Sequence, residues 1–188
     1  MKDVKEEISE EWFDVVDALD RPLRRERRAT VHAQGLRHRA AHVLVLDAED
    51  RLLVQKRSAS KDVAPGTWCS SCSGHVDAGE DYLSAAVREL EEEIGIRVAP
   101  DDLRPVLWAS ACEETGREFV WVYLLRHEGP FDFDETEVSA LEKLSADELD
   151  RRAKERPETF SPSFLHLYRL FALLPPGRRG SPSPAGLK

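Results

Sequence analysis

The sequence has no long apolar run: nowhere do about 18 uncharged apolar residues follow one another, as a membrane-spanning helix would require. Its first residues, MKDVKEEISEEW, are acidic and lack the apolar segment of a secretory signal peptide. We therefore expect a cytoplasmic protein that has no membrane partner.

Cysteine is scarce as well, and the three cysteines among 188 residues do not make a disulfide framework. Cys69 and Cys72 form a C-x-x-C pair, with His75 three residues further on, so a zinc or redox site is one interpretation. A closed zinc site needs four ligands, and no second C-x-x-C pair completes this one. We therefore favour the other interpretation, in which both cysteines are small residues of strands.

An excess of positive charge is also absent, since 36 acidic residues outnumber 27 basic ones and the net charge is −9. Such a chain has no overall field that attracts nucleic acid, so we expect no DNA partner. A phosphate-bearing ligand would have to be held by local basic groups or by a metal ion.

The sequence does contain enough apolar residues, 41%, to build a hydrophobic core, together with 34% charged residues. Its length fits one domain, which we place at residues 1–174. The remaining segment, 175–188, is PPGRRGSPSPAGLK, in which proline, glycine and serine prevail. Because almost nothing in this segment could be buried, we expect a flexible tail.

Apolar runs predict a central sheet. Residues 40–46, AAHVLVL, are nearly continuously apolar, as in a strand that is covered on both faces. Residues 47–50 then turn the chain into a second strand at 52–56, so the two segments predict a hairpin at the centre of the sheet. Further strands are predicted over 12–16, 106–111 and 119–125.

Three helices are predicted beside these strands. Residues 81–94 carry apolar side chains at the spacing of one helical stripe, and Gly95 provides a stop. A helix over 145–156 opens with Ser145 followed by Glu148, which is a capping-box pattern. With a third helix at 162–174, the sequence predicts an α/β protein whose helices cover the sheet.

Three glutamates of the first helix, Glu89, Glu92 and Glu93, occupy positions i, i+3 and i+4, so their carboxylates share one side of the helix. Taken alone, such a cluster is typical of a solvated helix face. Clustered carboxylates also suit a hard divalent cation, and Mg²⁺ in particular combines a few carboxylates with water and substrate phosphates. The residues around the cluster decide between a solvated helix face and a cation site.

The surrounding segment, GHVDAGEDYLSAAVRELEEEIGI, fits the frame G-x5-E-x7-R-E-U-x-E-E-x-G-U at every specified position, where U is aliphatic. Seven fixed residues and two aliphatic ones would match by chance on the order of 10⁻⁹ times per starting point. This frame is the Nudix box, and the chain resembles the Nudix superfamily. The frame begins at Gly74, and its later specified residues are Glu80, Arg88, Glu89, Leu90, Glu92, Glu93, Gly95 and Ile96.

The resemblance implies a fold, a cofactor and a reaction. The fold is a Nudix α/β/α sandwich around a central mixed sheet, and the cofactor is Mg²⁺ or Mn²⁺. Glu89, Glu92 and Glu93 would be the metal ligands and catalytic residues, one of them doubling as the general base, while Arg88 would orient them. The reaction would be hydrolysis of a phosphoanhydride, in a nucleoside diphosphate linked to another group or a related diphosphate, by metal-activated water.

A narrower resemblance covers residues 36–96, in particular the pattern L-L-V-x-x-R-x-x-S-K-x-x-x-P-G-x-W over 52–68 and the later G-H pair. In this region the chain resembles type 1 isopentenyl diphosphate isomerase and the hydrolases related to it. The resemblance implies that Arg57 and Lys61 bind the substrate diphosphate. It also implies a possible second metal site, although His32 lies one residue closer to its neighbour than in the pattern and Gly116 replaces an expected glutamate. The ligands of that site would be His32, His38, His75 and Glu118.

The departures from the isomerase pattern favour hydrolysis. The isomerase carries a cysteine two residues before the histidine of the G-H pair, where this chain has Ser73, and Cys72 is displaced by one position. Isomerases also tend to degrade the Nudix box, which is intact here. Two alternatives to the hydrolase stay open: an isopentenyl diphosphate isomerase-like enzyme and a non-catalytic Nudix module that binds a nucleotide. The expected partner is a small-molecule diphosphate, and the chain would be a monomer or a homodimer.

Overall fold

The structure is a computed structural model that describes residues 11–175. The predicted tail, 175–188, lies outside the described residues apart from Pro175. Within the described range, a two-stranded sheet precedes a mixed sheet of seven strands. The strands are β1 (Trp12–Val16), β2 (Pro22–Arg27), β3 (His38–Leu46), β4 (Leu52–Arg57), β5 (Trp68–Cys69), β6 (Cys72–His75), β7 (Arg104–Ala109), β8 (Glu118–Arg126) and β9 (Val138–Leu144).

Residues 11–175 contain four α-helices, and three of them cover the two faces of the large sheet. One face packs against the helix that follows β6, through Leu90 and Ile94. The opposite face packs against the two C-terminal helices, through residues such as Leu149 and Phe164. The predicted α/β/α sandwich is therefore confirmed. The helices are α1 (Arg28–Gln34), α2 (Tyr82–Ile94), α3 (Ala146–Glu155) and α4 (Pro162–Ala172).

Strand β3 is the centre of the large sheet. It runs parallel to β8 and antiparallel to β4 and β6. The register sets His38 opposite Glu118 and Ala41 opposite Gly74, so the starts of β3 and β8 and the end of β6 lie side by side. These strand ends therefore bring together residues that are far apart in the sequence.

Helix α2 has the ends that the sequence predicts. The Asp81 side chain accepts a hydrogen bond from the backbone N–H of Ser84 at 2.8 Å, and Gly95 closes the helix with φ of 69°. Ser145 caps α3 in the same way, by accepting from the backbone N–H of Glu148 at 3.3 Å. Helix α2 therefore begins within one residue of its predicted start, and α3 begins directly after the serine that the sequence predicts as its cap.

Three elements have no counterpart in the sequence predictions: β2, α1 and β9. Strand β2 lies along β1 with a sequence rich in arginine, PLRRER, so it has no apolar alternation that reveals a strand. The predicted hairpin forms, but β3 and β4 pair only at Val45–Leu53 and Leu46–Leu52, because β4 otherwise pairs with β9 and β5.

The C-x-x-C pair is part of the sheet. Cys69 lies in β5 and Cys72 in β6, and both are free and buried. Burial raises the pKa of the Cys69 thiol to about 12 and that of Cys72 above its ordinary value. The interpretation of these cysteines as strand residues is confirmed. Over residues 11–175, no helix combines the length and apolarity needed to cross a membrane.

Candidate active site

The innermost carboxylate of α2 belongs to Glu93, which is 4% exposed. Its Oε2 accepts hydrogen bonds from Nε2 of Gln55 at 2.8 Å and from the backbone N–H of Ser73 at 3.1 Å. Gln55 is itself buried on β4 and Ser73 belongs to β6. Two strands of the sheet therefore fix the position of this carboxylate.

The Glu89 carboxylate lies directly against Gly74. A Cβ atom at position 74 would lie 2.0 Å from both Cδ and Oε1 of Glu89, so the space above this glycine is filled by the carboxylate. Burial, and after it the negative charge of Glu93, raise the pKa of Glu89 to about 7. A half-buried carboxylate beside a second carboxylate is an arrangement that a divalent cation would stabilise.

Arg88 connects the other acidic groups of the helix. Its Nη1 donates to Oε1 of Glu89 at 2.7 Å and to Oε2 of Glu92 at 3.0 Å, while Nη2 donates to Oε2 of Glu80 at 2.9 Å. Burial opposes the positive charge, but the hydrogen bond that Arg88 donates to Glu80 and the charge of Glu89 raise the pKa of Arg88 above its ordinary value. The guanidinium also donates to the carbonyl of His75 at 3.1 Å, which fixes the helix to the end of β6.

The three glutamates are close together but do not point at one centre. Glu89 and Glu92 share Nη1 of Arg88, whereas Glu93 turns toward Gln55 and Ser73. Glu92 is 58% exposed in its side chain and opens to solvent. The donor set of three carboxylates fits a hard divalent cation, because Mg²⁺ binds a few carboxylates and completes its coordination with water and substrate phosphates.

The two predicted phosphate-binding residues lie at the end of β4 and in the loop that follows. Nε of Arg57 donates to the carbonyl of Val63 at 2.9 Å, and Lys61 forms an ion pair with Glu137. Burial lowers the pKa of Lys61, while the charges of Glu93 and Glu89 act in the opposite direction. The ammonium group is therefore within electrostatic reach of the α2 carboxylates.

The three predicted histidines meet in space. His32 from α1, His38 from β3 and His75 from β6 have ring nitrogens that lie within 4.8 Å of one another. The Nε2 atoms of all three rings are buried and have no hydrogen-bond partner in the described structure. Phe13 of β1 stacks on His75 with ring centroids 4.5 Å apart and so closes one side of the cluster.

Glu118 completes this group, because the register of β3 and β8 sets it beside His38. Its Oε1 lies 3.2 Å from Nε2 of His75 and 3.6 Å from Nε2 of His38. Although burial opposes its charge, contacts with His38 and His75 lower the pKa of Glu118 below its ordinary value. Burial, and after it the charges of His75 and His38, lower the pKa of His32 to about 4. The cluster therefore combines an ionised carboxylate with buried imidazole nitrogens that have no well-aligned hydrogen bond.

The orientation of His38 is fixed by its other ring nitrogen. Nδ1 lies 3.0 Å from the carbonyl oxygen of Leu36, which can only accept, so Nδ1 carries the proton when the ring is neutral. The lone pair of Nε2 then points into the cluster. A protonated Nδ1 that donates to a backbone carbonyl is the usual outer contact of a metal-binding histidine.

Ser73 and Cys72 face opposite sides of the sheet. Cys72 is fully buried in the core beneath α2, whereas Ser73 is paired with His42 on the other face. His42 is itself buried and its Nδ1 lies 2.7 Å from the hydroxyl of Ser70, so it belongs to the sheet interior. The Cys72 thiol therefore does not replace the missing cysteine at position 73.

Two contributors to the site have no role in the sequence predictions. Gln55 holds Glu93, and Glu80, although part of the Nudix box, holds Arg88. A glutamine inside the apolar strand LLVQKR is a signal for such a contact, because a buried amide needs a partner.

The chain also matches known proteins. A family model described as the NUDIX domain matches residues 36–164. An uncharacterized Nudix hydrolase of Yersinia pestis is 33% identical over 161 residues, which make up 86% of this chain and 85% of the relative. The isopentenyl-diphosphate Delta-isomerase of Serratia proteamaculans is 30% identical over 162 residues, which make up 85% of this chain and 90% of that protein.

A solved structure supports the same relationship. The crystal structure of DR0079 from Deinococcus radiodurans superposes with a TM-score of 0.75 at 27% sequence identity, covering 85% of this chain and 98% of that chain. The chain therefore belongs to the Nudix family of hydrolases. Within the family it falls in a subgroup that resembles type 1 isopentenyl diphosphate isomerase.

Proposed function

We propose that this protein is a hydrolase that depends on a divalent cation, Mg²⁺ or Mn²⁺, and cleaves the phosphoanhydride of a small diphosphate compound. The observation that supports this most directly is the pair formed by Glu89, half-buried against Gly74, and Glu93, buried and held by Gln55 and Ser73. A binding module has no need for a complete and internally supported set of carboxylates. The substrate class is a nucleoside diphosphate linked to another group, or a related diphosphate.

In this proposal Glu89, Glu92 and Glu93 hold the cation. When bound, the cation would lower the pKa of a coordinated water and neutralise charge on the phosphoryl oxygens. Gln55 and the Ser73 amide keep Glu93 in place, and Arg88 restrains Glu89 and Glu92. One of the three glutamates accepts the proton from the attacking water.

Arg57 and Lys61 would bind the diphosphate. Guanidinium and ammonium groups are natural donors to phosphate oxygens. Arg57 ends β4 and donates to the carbonyl of Val63 in the following loop, and Lys61 lies in that loop within electrostatic reach of Glu89 and Glu93. Lys61 would exchange its ion pair with Glu137 for the substrate. Positive charge beside the carboxylates also offsets their repulsion of an anionic substrate.

We further propose that His32, His38, His75 and Glu118 bind a second metal ion. Three buried imidazole nitrogens and a carboxylate are a donor set typical of transition metals, since imidazole suits these ions better than it suits Mg²⁺. The proton on Nδ1 of His38 leaves Nε2 free to coordinate. Gly116, which replaces an expected glutamate, leaves this set with one carboxylate.

The cation requirement is tested by phosphate release. Purified protein is screened against nucleoside diphosphates and triphosphates, dinucleotide polyphosphates and prenyl diphosphates, with Mg²⁺ or Mn²⁺ and after EDTA. We expect activity on at least one phosphoanhydride that EDTA abolishes and that either cation restores. Activity on the best substrate that survives the chelator would contradict the proposal.

Removing a phosphate-binding side chain should weaken substrate binding more than it slows the reaction. For Arg57→Ala and Lys61→Ala we expect KM to rise about 10- to 100-fold, since a hydrogen bond to a charged group contributes roughly 1.5–3 kcal/mol. The control is Arg97→Ala, because Arg97 is exposed and its ion pair within residues 11–175 is with Glu91 on the outer side of α2. Unchanged KM in both variants, with unchanged melting temperatures, would remove these residues from the substrate site.

The alternative enzyme is an isopentenyl diphosphate isomerase, which one relative at 30% identity favours. Isomerisation needs acid/base groups placed on two sides of the carbon skeleton, and the serine hydroxyl at position 73 is a far poorer proton donor and acceptor near pH 7 than a thiol. We expect no conversion of labelled isopentenyl diphosphate to dimethylallyl diphosphate, measured after acid quenching. Robust turnover would replace the hydrolase with the isomerase.

A further inference from the structure

A further cluster of metal-ligating side chains shares no residue with the two sites described above. It consists of Cys112 and Glu114, in the loop between β7 and β8, and His166, in α4. Their ligand atoms lie within 4.8 Å of one another, and Sγ of Cys112 is 3.8 Å from Nε2 of His166. Residues 54 apart in the sequence thus meet where the loop packs against the helix.

The loop that carries two of these residues is held in place by its own hydrogen bonds. Thr115 is 2% exposed; its Oγ1 accepts from the backbone N–H of Cys112 at 3.1 Å and lies 2.9 Å from the carbonyl of Glu118. The carbonyl of Cys112 also accepts from the backbone N–H of Arg117 at 2.8 Å. Neither the loop nor the helix has to rearrange to bring the three side chains together.

The donor set distinguishes this cluster from the other two. A thiolate, an imidazole and a carboxylate suit zinc, whereas Mg²⁺ prefers oxygen ligands alone. With usual zinc–sulfur and zinc–nitrogen distances, two ligands of a tetrahedral ion lie about 3.5 Å apart. The 3.8 Å between Cys112 and His166 is close to that separation.

The cluster lies at the edge of a cavity of about 610 Å³. Glu114 and His166 line it, together with Val63, whose carbonyl accepts from Arg57. Three protein ligands leave one position of a tetrahedral zinc ion open, as in catalytic rather than structural zinc sites. An ion bound here would therefore adjoin a cavity that shares a wall with the proposed phosphate-binding loop.

We propose that Cys112, Glu114 and His166 form a zinc-binding site that links the β7–β8 loop to α4 at the edge of this cavity. The site does not depend on the hydrolytic function proposed above, since it uses none of the same residues. Its sulfur ligand also gives it a spectroscopic signature that the other two sites cannot produce.

Cobalt(II), a spectroscopic substitute for zinc, tests the site directly. The full-length protein is freed of metal, kept reduced without a chelating thiol, and titrated with Co²⁺ while near-ultraviolet absorption is recorded. We expect a thiolate-to-cobalt charge-transfer band that stops growing when each protein molecule holds one Co²⁺ at this site. The band should disappear when Zn²⁺ displaces the cobalt. The band should be lost in Cys112→Ser, in which the buried Cys69 and Cys72 remain as internal controls.

Two further variants distinguish the loss of a ligand of this site from a change elsewhere in the protein. His166→Asn should weaken Co²⁺ binding at least about tenfold, because loss of a group that merely orients a ligand already costs that much. His32→Ala removes a ligand of the histidine cluster and should leave the band unchanged. Zinc should also raise the melting temperature of the unmodified protein but not that of Cys112→Ser, since a ligand that binds only the folded state stabilises it.

The result that would overturn the site is equally specific. No charge-transfer band at saturating Co²⁺, a band that survives Cys112→Ser, or unchanged affinity in His166→Asn would each exclude it. Because the measurement does not involve catalysis, a protein without hydrolytic activity could still confirm the zinc site, and an active hydrolase could still lack it.

Discussion

Glu93→Gln should reduce kcat/KM for the best phosphoanhydride substrate by at least about 10²- to 10³-fold, the loss that follows removal of one preorganised electrostatic group from an active site. The substitution keeps the size of the side chain and an oxygen that accepts from Gln55 and Ser73, but it removes the negative charge that would hold the cation. Activity is measured as phosphate release over a range of Mg²⁺ and Mn²⁺ concentrations.

Helix α2 itself offers the matched control. Glu91→Gln changes an exposed glutamate two residues away whose carboxylate pairs with Arg97 at 2.7 Å on the outer side of the helix. This variant should keep full activity, so a general effect of charge on α2 can be separated from the loss of a ligand. Equal activity of Glu93→Gln and the unmodified protein would exclude Glu93 from the cation site.

Gly74→Ala should be the second most damaging substitution, although it adds only one methyl group. The new Cβ would lie 2.0 Å from the Glu89 carboxylate, which is the far end of a flexible side chain and can move away. We therefore expect little loss of stability, but at least about a 100-fold loss of activity, because a displacement of about 1 Å at a catalytic group can cost that much. The melting temperature checks the expected stability and kcat/KM checks the expected loss of activity, both measured on the same preparation.

A double-mutant cycle shows whether Gly74 acts through Glu89. If it does, Gly74→Ala combined with Glu89→Ala should be no less active than Glu89→Ala alone, since the displaced carboxylate is then already absent. Full additivity of the two losses would mean that the methyl group disturbs some other part of the site, and the proposed role of the glycine would be wrong.

The sequence by itself determined the position of helix α2 and the family to which the chain belongs. The capping carboxylate of Asp81, the apolar stripe and the stop at Gly95 are local signals, because each acts within a few residues of the chain. The apolar run in β3 likewise predicts a strand covered on both faces. The Nudix box lies in this locally encoded part, so the family and the fold class could be predicted without the structure.

Only the tertiary structure decided which distant side chains meet. His38 and Glu118 are neighbours because β3 and β8 run parallel in one register, and that register depends on packing of the whole sheet rather than on either segment. Strand β2 was not predicted for a related reason. Its exposed arginines do not alternate with apolar residues, and its strand conformation depends on pairing with β1. The contacts of Gln55 with Glu93 and of Cys112 with His166 likewise exist only once helices and loops are packed against the sheet, because nothing in the local sequence specifies a partner so far along the chain.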